Sequence, residues 1–187
     1  LTTLLKLILS QARRLVSADA GSLYLVQRRV GEPPRTMRFS LLQNHTLPDL
    51  PFREVTMAID SRSIAGYVAV SGQPLVIHDV YHLDPDVPYR FNRSFDEQVG
   101  YRTQSVLVIP MRSHRDEIVG VLQLINRKHD ADVQLSTPEI STAQVIPFDD
   151  HSVTLASALA SQAAVAIENS ELYRDIEALF EGFVTAS

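Results

Sequence analysis

The sequence contains no cysteine. That excludes disulfides, a thiolate nucleophile and any cysteine-ligated metal or haem, and it suits a reducing compartment such as the cytoplasm. No apolar run reaches the roughly 18–20 residues that a membrane-spanning helix needs, and no signal-peptide pattern opens the chain. A basic excess is missing too. Formal net charge is −5, with both signs interspersed, which argues against a nucleic-acid surface. There is no glycine-rich phosphate loop. Ser, His and Asp are all available, but no serine stands in a nucleophile-elbow context. The chain is therefore read as non-catalytic.

What is present is a core. The chain has 187 residues, of which 45% are hydrophobic, enough for one domain of ordinary size with an extension. It starts with Leu1 rather than Met and stops inside a helical pattern, so we expect a fragment of a longer protein.

Residues 118–127 organise the rest. They form a β-branched and aliphatic run with one polar side chain inside it, Gln123. Such a run predicts a strand buried on both faces near the middle of a sheet. A buried amide is costly unless bonded, so Gln123 either meets backbone or points at a pocket. Residues 104–111 predict a second such strand, and the polar residues 112–117 join the two as an antiparallel hairpin.

Residues 1–17 read as a helix with Leu4, Leu5, Ile8, Ala12 and Leu15 on one stripe, widened by Leu1, Leu7 and Val16, and a break at residues 18–21 ending in Gly21. Strands are expected at 22–29, 36–43 and 53–59. A helix follows over 61–72, capped by serine at its start and closed by Ser71–Gly72, then a strand at 75–77, a polar loop at 78–90 and a short helix within 91–99. Residues 129–147 read as a surface excursion. Residues 149–183 read as one long helix. Leu155, Leu159, Gln162, Ala166, Asn169, Tyr173, Ile176, Phe180 and Phe183 make a heptad seam, and Ala163, Val165, Ile167 and Leu172 a second stripe. Two stripes predict one face packed on the domain and one on a partner, here a second copy of the chain through residues 1–16 and 149–183. The fold class is α+β: about six mainly antiparallel strands, terminal helices on one face, loops and short helices on the other.

With the elements in this order, the chain resembles a GAF domain, a relative of the PAS sensor fold, from end to end. The residues that carry the likeness are Ala20–Gly21–Ser22–Leu23–Tyr24–Leu25, Ile64–Ala65–Gly66–Tyr67–Val68, Gly72–Gln73–Pro74–Leu75 and Asp79. They continue with Gly100–Tyr101–Arg102–Thr103–Gln104–Ser105–Val106–Leu107, Gly120 to Asn126, Pro147–Phe148 and Gln162 to Asn169. GAF domains similar to this one are regulatory modules, some of which bind cyclic AMP or cyclic GMP; others bind different small molecules or only dimerise. The resemblance places pocket walls at Ser22, Ser63, Ile64, Asp79, Asp96, Tyr101, Thr103 and Gln123. Beside that stands a plainer reading: Ser22 and Thr103 as strand residues, Asp79 as a turn cap, Tyr101 as core. A cyclic phosphate would suit the start of the helix near Ser63.

The cyclic-nucleotide group carries Asn-Lys after the central strand, then Phe, three residues and Asp-Glu. Here Asn126 and Phe148 match and Arg127 replaces the Lys, but Ser152 and Val153 stand where Asp-Glu belongs. Arg127 is left to reach Asp149 or Asp150 instead. Residues 1–170 are read as the sensor domain, and 171–187 as the start of a helical linker to an output domain. That linker resembles those leading into bacterial HD-type cyclic-di-GMP phosphohydrolases. The cysteines of GAF-like methionine sulfoxide reductases and of bilin-binding phytochromes are absent. His78, Asp79, His82, Asp84 and Asp86 fit no metal spacing and are read as a capped solvated loop; for a haem, only His45, His78 and His82 would stand near the pocket.

Overall fold

The structure, a computed structural model, describes residues 1–186; of the linker read over 171–187, Ser187 lies outside the described residues. The elements run α1 (Thr2–Val16), β1 (Ala18–Gln27), β2 (Thr36–Asn44), β3 (Val55–Ala58), α2 (Ile64–Ser71), β4 (Leu75–Ile77), α3 (Ser94–Val99), β5 (Val106–Arg112), β6 (Ile118–Lys128), α4 (Pro138–Gln144), β7 (Val145–Ile146) and α5 (Asp150–Ala186). Seven strands form one sheet in the order β3-β2-β1-β6-β5-β4, with β7 beside the end of β6. All strand pairs are antiparallel.

The expected hairpin is β5–β6, and β6 sits between β1 and β5 at the centre. Its neighbours explain the continuous apolar runs. On β5, Leu107, Ile109 and Met111 face the terminal helices, while Val106 and Val108 face the other side. Strand alternation thus feeds two cores from one strand. The first core packs α1 and α5 on the sheet; the second packs α2 and the loops around it.

Three expectations needed correction. The first helix does not end at a break over 18–21: Ser17 takes the left-handed conformation (φ 59°) and caps α1, and β1 begins at Ala18. A serine provided the stop that was assigned to Gly21. Second, α1 buries Leu5, Ile8, Leu9, Ala12 and Val16, while Leu4, Leu7 and Leu15 are exposed. The apolar surface of the helix is wider than one sheet face covers. Third, residues 129–147 are not only a surface excursion: they contain α4 and β7, and Thr137 caps α4 by accepting from Ile140 N.

In α5 the buried residues are Ser152, Ala156, Ala160, Ala163, Ala164 and Ile167. Small side chains let the helix lie close to the sheet. Ala163 and Ile167 of the second stripe are buried, but its Val165 and Leu172 are exposed, as are Tyr173, Ile176, Phe180 and Phe183 of the seam. From residue 171 onward every described residue of α5 is exposed. No helix among the described residues is long and apolar enough to cross a membrane.

Candidate functional site

On the α2 side of the sheet lies a cavity of about 290 Å³, near the lower end of the ~300–1,000 Å³ typical of small-molecule sites. Strand register builds its floor. Ser22 pairs with Leu42 on one side and Gln123 on the other, so three strands put one row of side chains under the same opening. Two residues along β1, on the same face, Tyr24 stacks on Phe39 with ring centroids 5.2 Å apart. Met57 and Ile125 complete the floor, and Phe91, Asn92 and Phe95 come over from the segment before and within α3.

The first turn of α2 forms one wall through Ser63, Ile64 and Ala65. Ser63 Oγ accepts from Gly66 N at 3.0 Å and caps the helix. Gly66 is required here: a Cβ would lie 2.1 Å from the Asp60 carbonyl oxygen. The helix start carries the positive end of the backbone dipole. Arg90 adds a cation at the rim, its Nη1 donating to the carbonyls of Val87 and Tyr89 at 2.7 and 2.9 Å.

The opposite wall is acidic and tightly bonded. Asp96 is buried, and its carboxylate accepts from Thr103 N (2.8 Å), Thr103 Oγ1 (2.8 Å) and Tyr81 OH (2.5 Å). That occupies three of a carboxylate's about four acceptor sites. Tyr81 is held further by Arg102 and Arg93, 4.8 Å or less from its ring centroid, and by Phe91 edge-on. Burial, with the Asp96 hydrogen bond and charge, pushes the Tyr81 phenol up to about 12. Burial also raises Tyr24, against a lowering hydrogen bond with Ser22.

Of the eight expected wall residues, Ser22, Ser63, Ile64, Asp96, Thr103 and Gln123 line this cavity. Among the described residues no protein group hydrogen-bonds the Gln123 amide, which belongs to the cavity floor. Asp79 and Tyr101 are elsewhere. Asp79 accepts from Tyr81 N and pairs with His82 Nδ1, both at 2.9 Å, so it caps a turn. Tyr101 is buried and donates to Asp19 Oδ2 at 2.7 Å. His45, His78 and His82 do not line the cavity, and no metal-competent cluster occurs among the described residues.

Beside the cavity, Asp19 gathers a buried network. Lys128 Nζ donates to Asp19 Oδ1 and to the Val133 carbonyl, both at 2.8 Å, with both side chains of the ion pair almost fully buried. Thr46 donates to Asp19 Oδ2 at 2.8 Å. Asn126, in the left-handed conformation (φ 58°), donates to Tyr101 OH and the Arg102 carbonyl and accepts from Gln104 N. Asn126 thus ties the segment carrying Thr103 to the end of the central strand. Next to it, Arg127 pairs with Asp149 at 3.2 Å and donates to the Pro147 carbonyl at 2.9 Å. Asp149 also caps α5, accepting from Ser152 N and Oγ at 2.8 Å. Those hydrogen bonds from Ser152, with the Arg127 charge, hold the Asp149 carboxyl below the usual range. The strand-to-α5 ion pair therefore exists, moved three positions toward the buried Phe148.

The aromatic walls Tyr24, Phe39, Phe91 and Phe95, the rim Arg90 and the Asp19–Lys128 pair were not foreseen. Tyr24 was within reach, because it sits two residues from Ser22 on the same strand.

The model of the GAF domain family matches residues 1–167. The chain is 33% identical over 131 residues to the dual 3′,5′-cyclic-AMP and -GMP phosphodiesterase 11 of Drosophila melanogaster, a match covering 67% of this chain and 9% of that protein. It is 28% identical over 169 residues to the dual 3′,5′-cyclic-AMP and -GMP phosphodiesterase 11A of Takifugu rubripes, covering 89% and 18%. The chain thus spans less than a fifth of the length of these relatives. Among solved structures, a GAF domain/HD domain protein from Geobacter sulfurreducens superposes with a TM-score of 0.59 at 19% identity, covering 90% of this chain and 92% of that one. The GAF-B domain of DevS from Mycobacterium smegmatis does so with 0.58 at 17%, covering 94% and 98%. At these identities the structural likeness is one of fold.

Proposed function

This chain belongs to the GAF domain family of small-molecule-sensing modules, and we propose that it binds a cyclic nucleotide, cyclic AMP or cyclic GMP, in the cavity between the sheet and α2. The observation that carries this reading is the cavity's polarity. One side offers a helix start and Arg90 for a cyclic phosphate. The other offers Asp96, Thr103 and Gln123 for the edge of a base, with Tyr24, Phe39 and Phe91 between them as apolar walls. Two further facts support it: the curated relatives are named as cyclic-AMP and cyclic-GMP phosphodiesterases, and the Arg127–Asp149 pair supplies the strand-to-helix link that the Ser152–Val153 departure removes.

The test is a thermal-shift titration with each nucleotide, followed by calorimetry. Ligand at 100 times its Kd stabilises by about 2.7 kcal/mol, a rise of roughly 5–10 °C for a domain of this size. Gln123→Ala should weaken binding about fivefold, as for one lost hydrogen bond. If neither nucleotide moves the melting temperature at millimolar concentration, the assignment is wrong.

As a GAF domain the chain is regulatory and non-catalytic. In our reading residues 1–170 are the sensor and 171–187 begin a helical linker to a cytoplasmic output domain. The relatives favour a cyclic-nucleotide phosphodiesterase for that output; the HD-type cyclic-di-GMP phosphohydrolase of a bacterial protein rests on the linker resemblance alone. The exposed seam of α5, with Leu4 and Leu7 of α1 and Leu159 and Val165 lining a shared groove, supports a homodimer. It also supports the second reading, a dimerisation module that needs no ligand. Light scattering tests the first point, and the nucleotide titration separates the two readings.

A further inference from the structure

The end of the β5–β6 hairpin reaches two helices: Arg112, the last residue of β5, contacts α2, and His114, in the turn, contacts α5. On one side, Arg112 Nη2 donates to the carbonyl of Gly72, the C-cap of α2. The guanidinium sits so close that a Cβ on Gly72 (φ +66°) would meet Nη2 at 2.3 Å. On the other side, His114 N donates to Glu168 Oε1 at 3.0 Å, and His114 Nδ1 pairs with Glu168 Oε2. Glu168 directly follows Ile167, the last buried residue of α5, so the grip falls where that helix leaves the domain.

The turn is stiff enough to act as one body. Ser113 N donates to the Glu117 carbonyl at 2.8 Å, and Ser113 Oγ accepts from the N–H groups of Arg115 and Glu117. Asp116, left-handed at φ 61°, pairs with Arg112 at 3.0 Å. Just past the end of β1, Arg28 braces the far side through Glu117 and the Ile118 carbonyl.

We infer that this turn couples the cavity to the output helix, with Arg112 and His114 as the positioning residues. The α2 helix has eight residues; its first turn forms a cavity wall and its C-cap is the Arg112 contact. A shift of the first turn is carried along a rigid helix to Arg112, and from there to the His114–Glu168 grip on α5. Its use as a signal path rests on the sensing role proposed above; the mechanical coupling does not need a ligand.

The experiment is a double-mutant cycle read by hydrogen exchange on the 187-residue chain, without nucleotide. Arg112 makes no hydrogen bond or ion pair to α5 among the described residues, so a purely local role for it would leave α5 exchange unmoved. Arg112→Gln is expected to speed exchange of α5 amides over residues 165–172 by about threefold. His114→Ala and Glu168→Gln should do the same, and Arg112→Gln should add nothing in the His114→Ala background. Arg112→Lys carries the test if Arg112→Gln does not fold. The inference is overturned if the Arg112 variants alter α2 and the turn but not α5, or if the two effects add. Because no nucleotide is used, failure here leaves the sensing assignment standing, and absence of nucleotide binding leaves the coupling standing.

Discussion

Replacing Lys128 by Met tests how the structure stores its polar energy. Lys128 ends β6 and Asp19 stands near the start of β1, brought together by the pairing of Ala18 with Arg127. The side-chain exposures of the ion pair are 1% and 0%. Met keeps the apolar stem of the lysine and deletes the ammonium. Among the described residues the Asp19 side chain then keeps the hydroxyls of Tyr101 and Thr46, both on its Oδ2, and the Val133 carbonyl loses the Lys128 donor. Arg13 feels the Asp19 charge but bonds Gln43 at 2.8 Å, so it does not replace the lost cation. Removing one partner of a buried pair costs about 3–5 kcal/mol, whereas neutralising both is often close to neutral. For a domain of this size that is a fall of roughly 6–20 °C in melting temperature. The double variant Asp19→Asn/Lys128→Met keeps an oxygen for Tyr101 and Thr46 and should recover at least half of the loss. Urea unfolding and thermal melts followed by far-UV circular dichroism measure both. A single variant within about 1 kcal/mol of the parent, or a double variant no better than the single, would refute the reasoning.

Three further outcomes follow from the same contacts. Asp149 has a folded pKa below its ordinary value, set chiefly by the Ser152 backbone hydrogen bond, so its contribution is present above the usual carboxylate range and lost as pH falls through the folded pKa. The stability gap between the parent and Asp149→Asn should therefore close on acidification below about pH 4, as pH-dependent urea melts would show. Gly66→Ala must force α2 away from the Asp60 carbonyl; we expect a loss of about 1–3 kcal/mol in urea unfolding, together with weaker nucleotide binding. Tyr81, raised to about 12 by burial and Asp96, contributes stability that is intact below about pH 10 and lost as pH rises toward its folded value; Tyr81→Phe should flatten that alkaline decline.

How far a residue's place could be read from the sequence depends on what brings its neighbours to it. Where neighbours are set by a short reversal or by a cap within the element itself, the sequence predicts the structure, whereas helical periodicity alone misplaces Leu4 and Leu15 of α1 and Val165 and Leu172 of α5. The β5–β6 hairpin spans a turn of five residues between Arg112 and Ile118, and its apolar runs predict burial on both faces without knowledge of anything distant. The helix closed by Gly72 carries both cap signals within its own ten residues, Ser63 and Gly72. Gln123 was flagged because a lone amide in an apolar strand needs a reason, and the reason is the cavity floor. The family resemblance then supplied six of the cavity's walls, which no local rule would have assembled.

Some misreadings come from contacts between elements remote in sequence, and one from an unusual local backbone conformation. Asp19 and Lys128 are 109 residues apart, and a lone charge at a strand end reads as solvated because almost all such charges are. Tyr101 reads as a wall residue beside Thr103, yet it lies in the irregular segment before β5, where alternation does not apply, and its hydroxyl reaches Asp19 instead of the cavity. Ser17 closes α1 in a conformation normally left to glycine or asparagine, so a glycine four residues later was the more reasonable stop. The Arg127–Asp149 pair shows the converse. Arg127 was expected to reach Asp149 or Asp150, because the motif fixes which element it must meet and only the exact partner was open. Asp149 takes it because the same carboxylate caps α5 through Ser152. The helix start holds that carboxylate in place, and the serine that breaks the family pattern supplies the hydrogen bonds that hold it there.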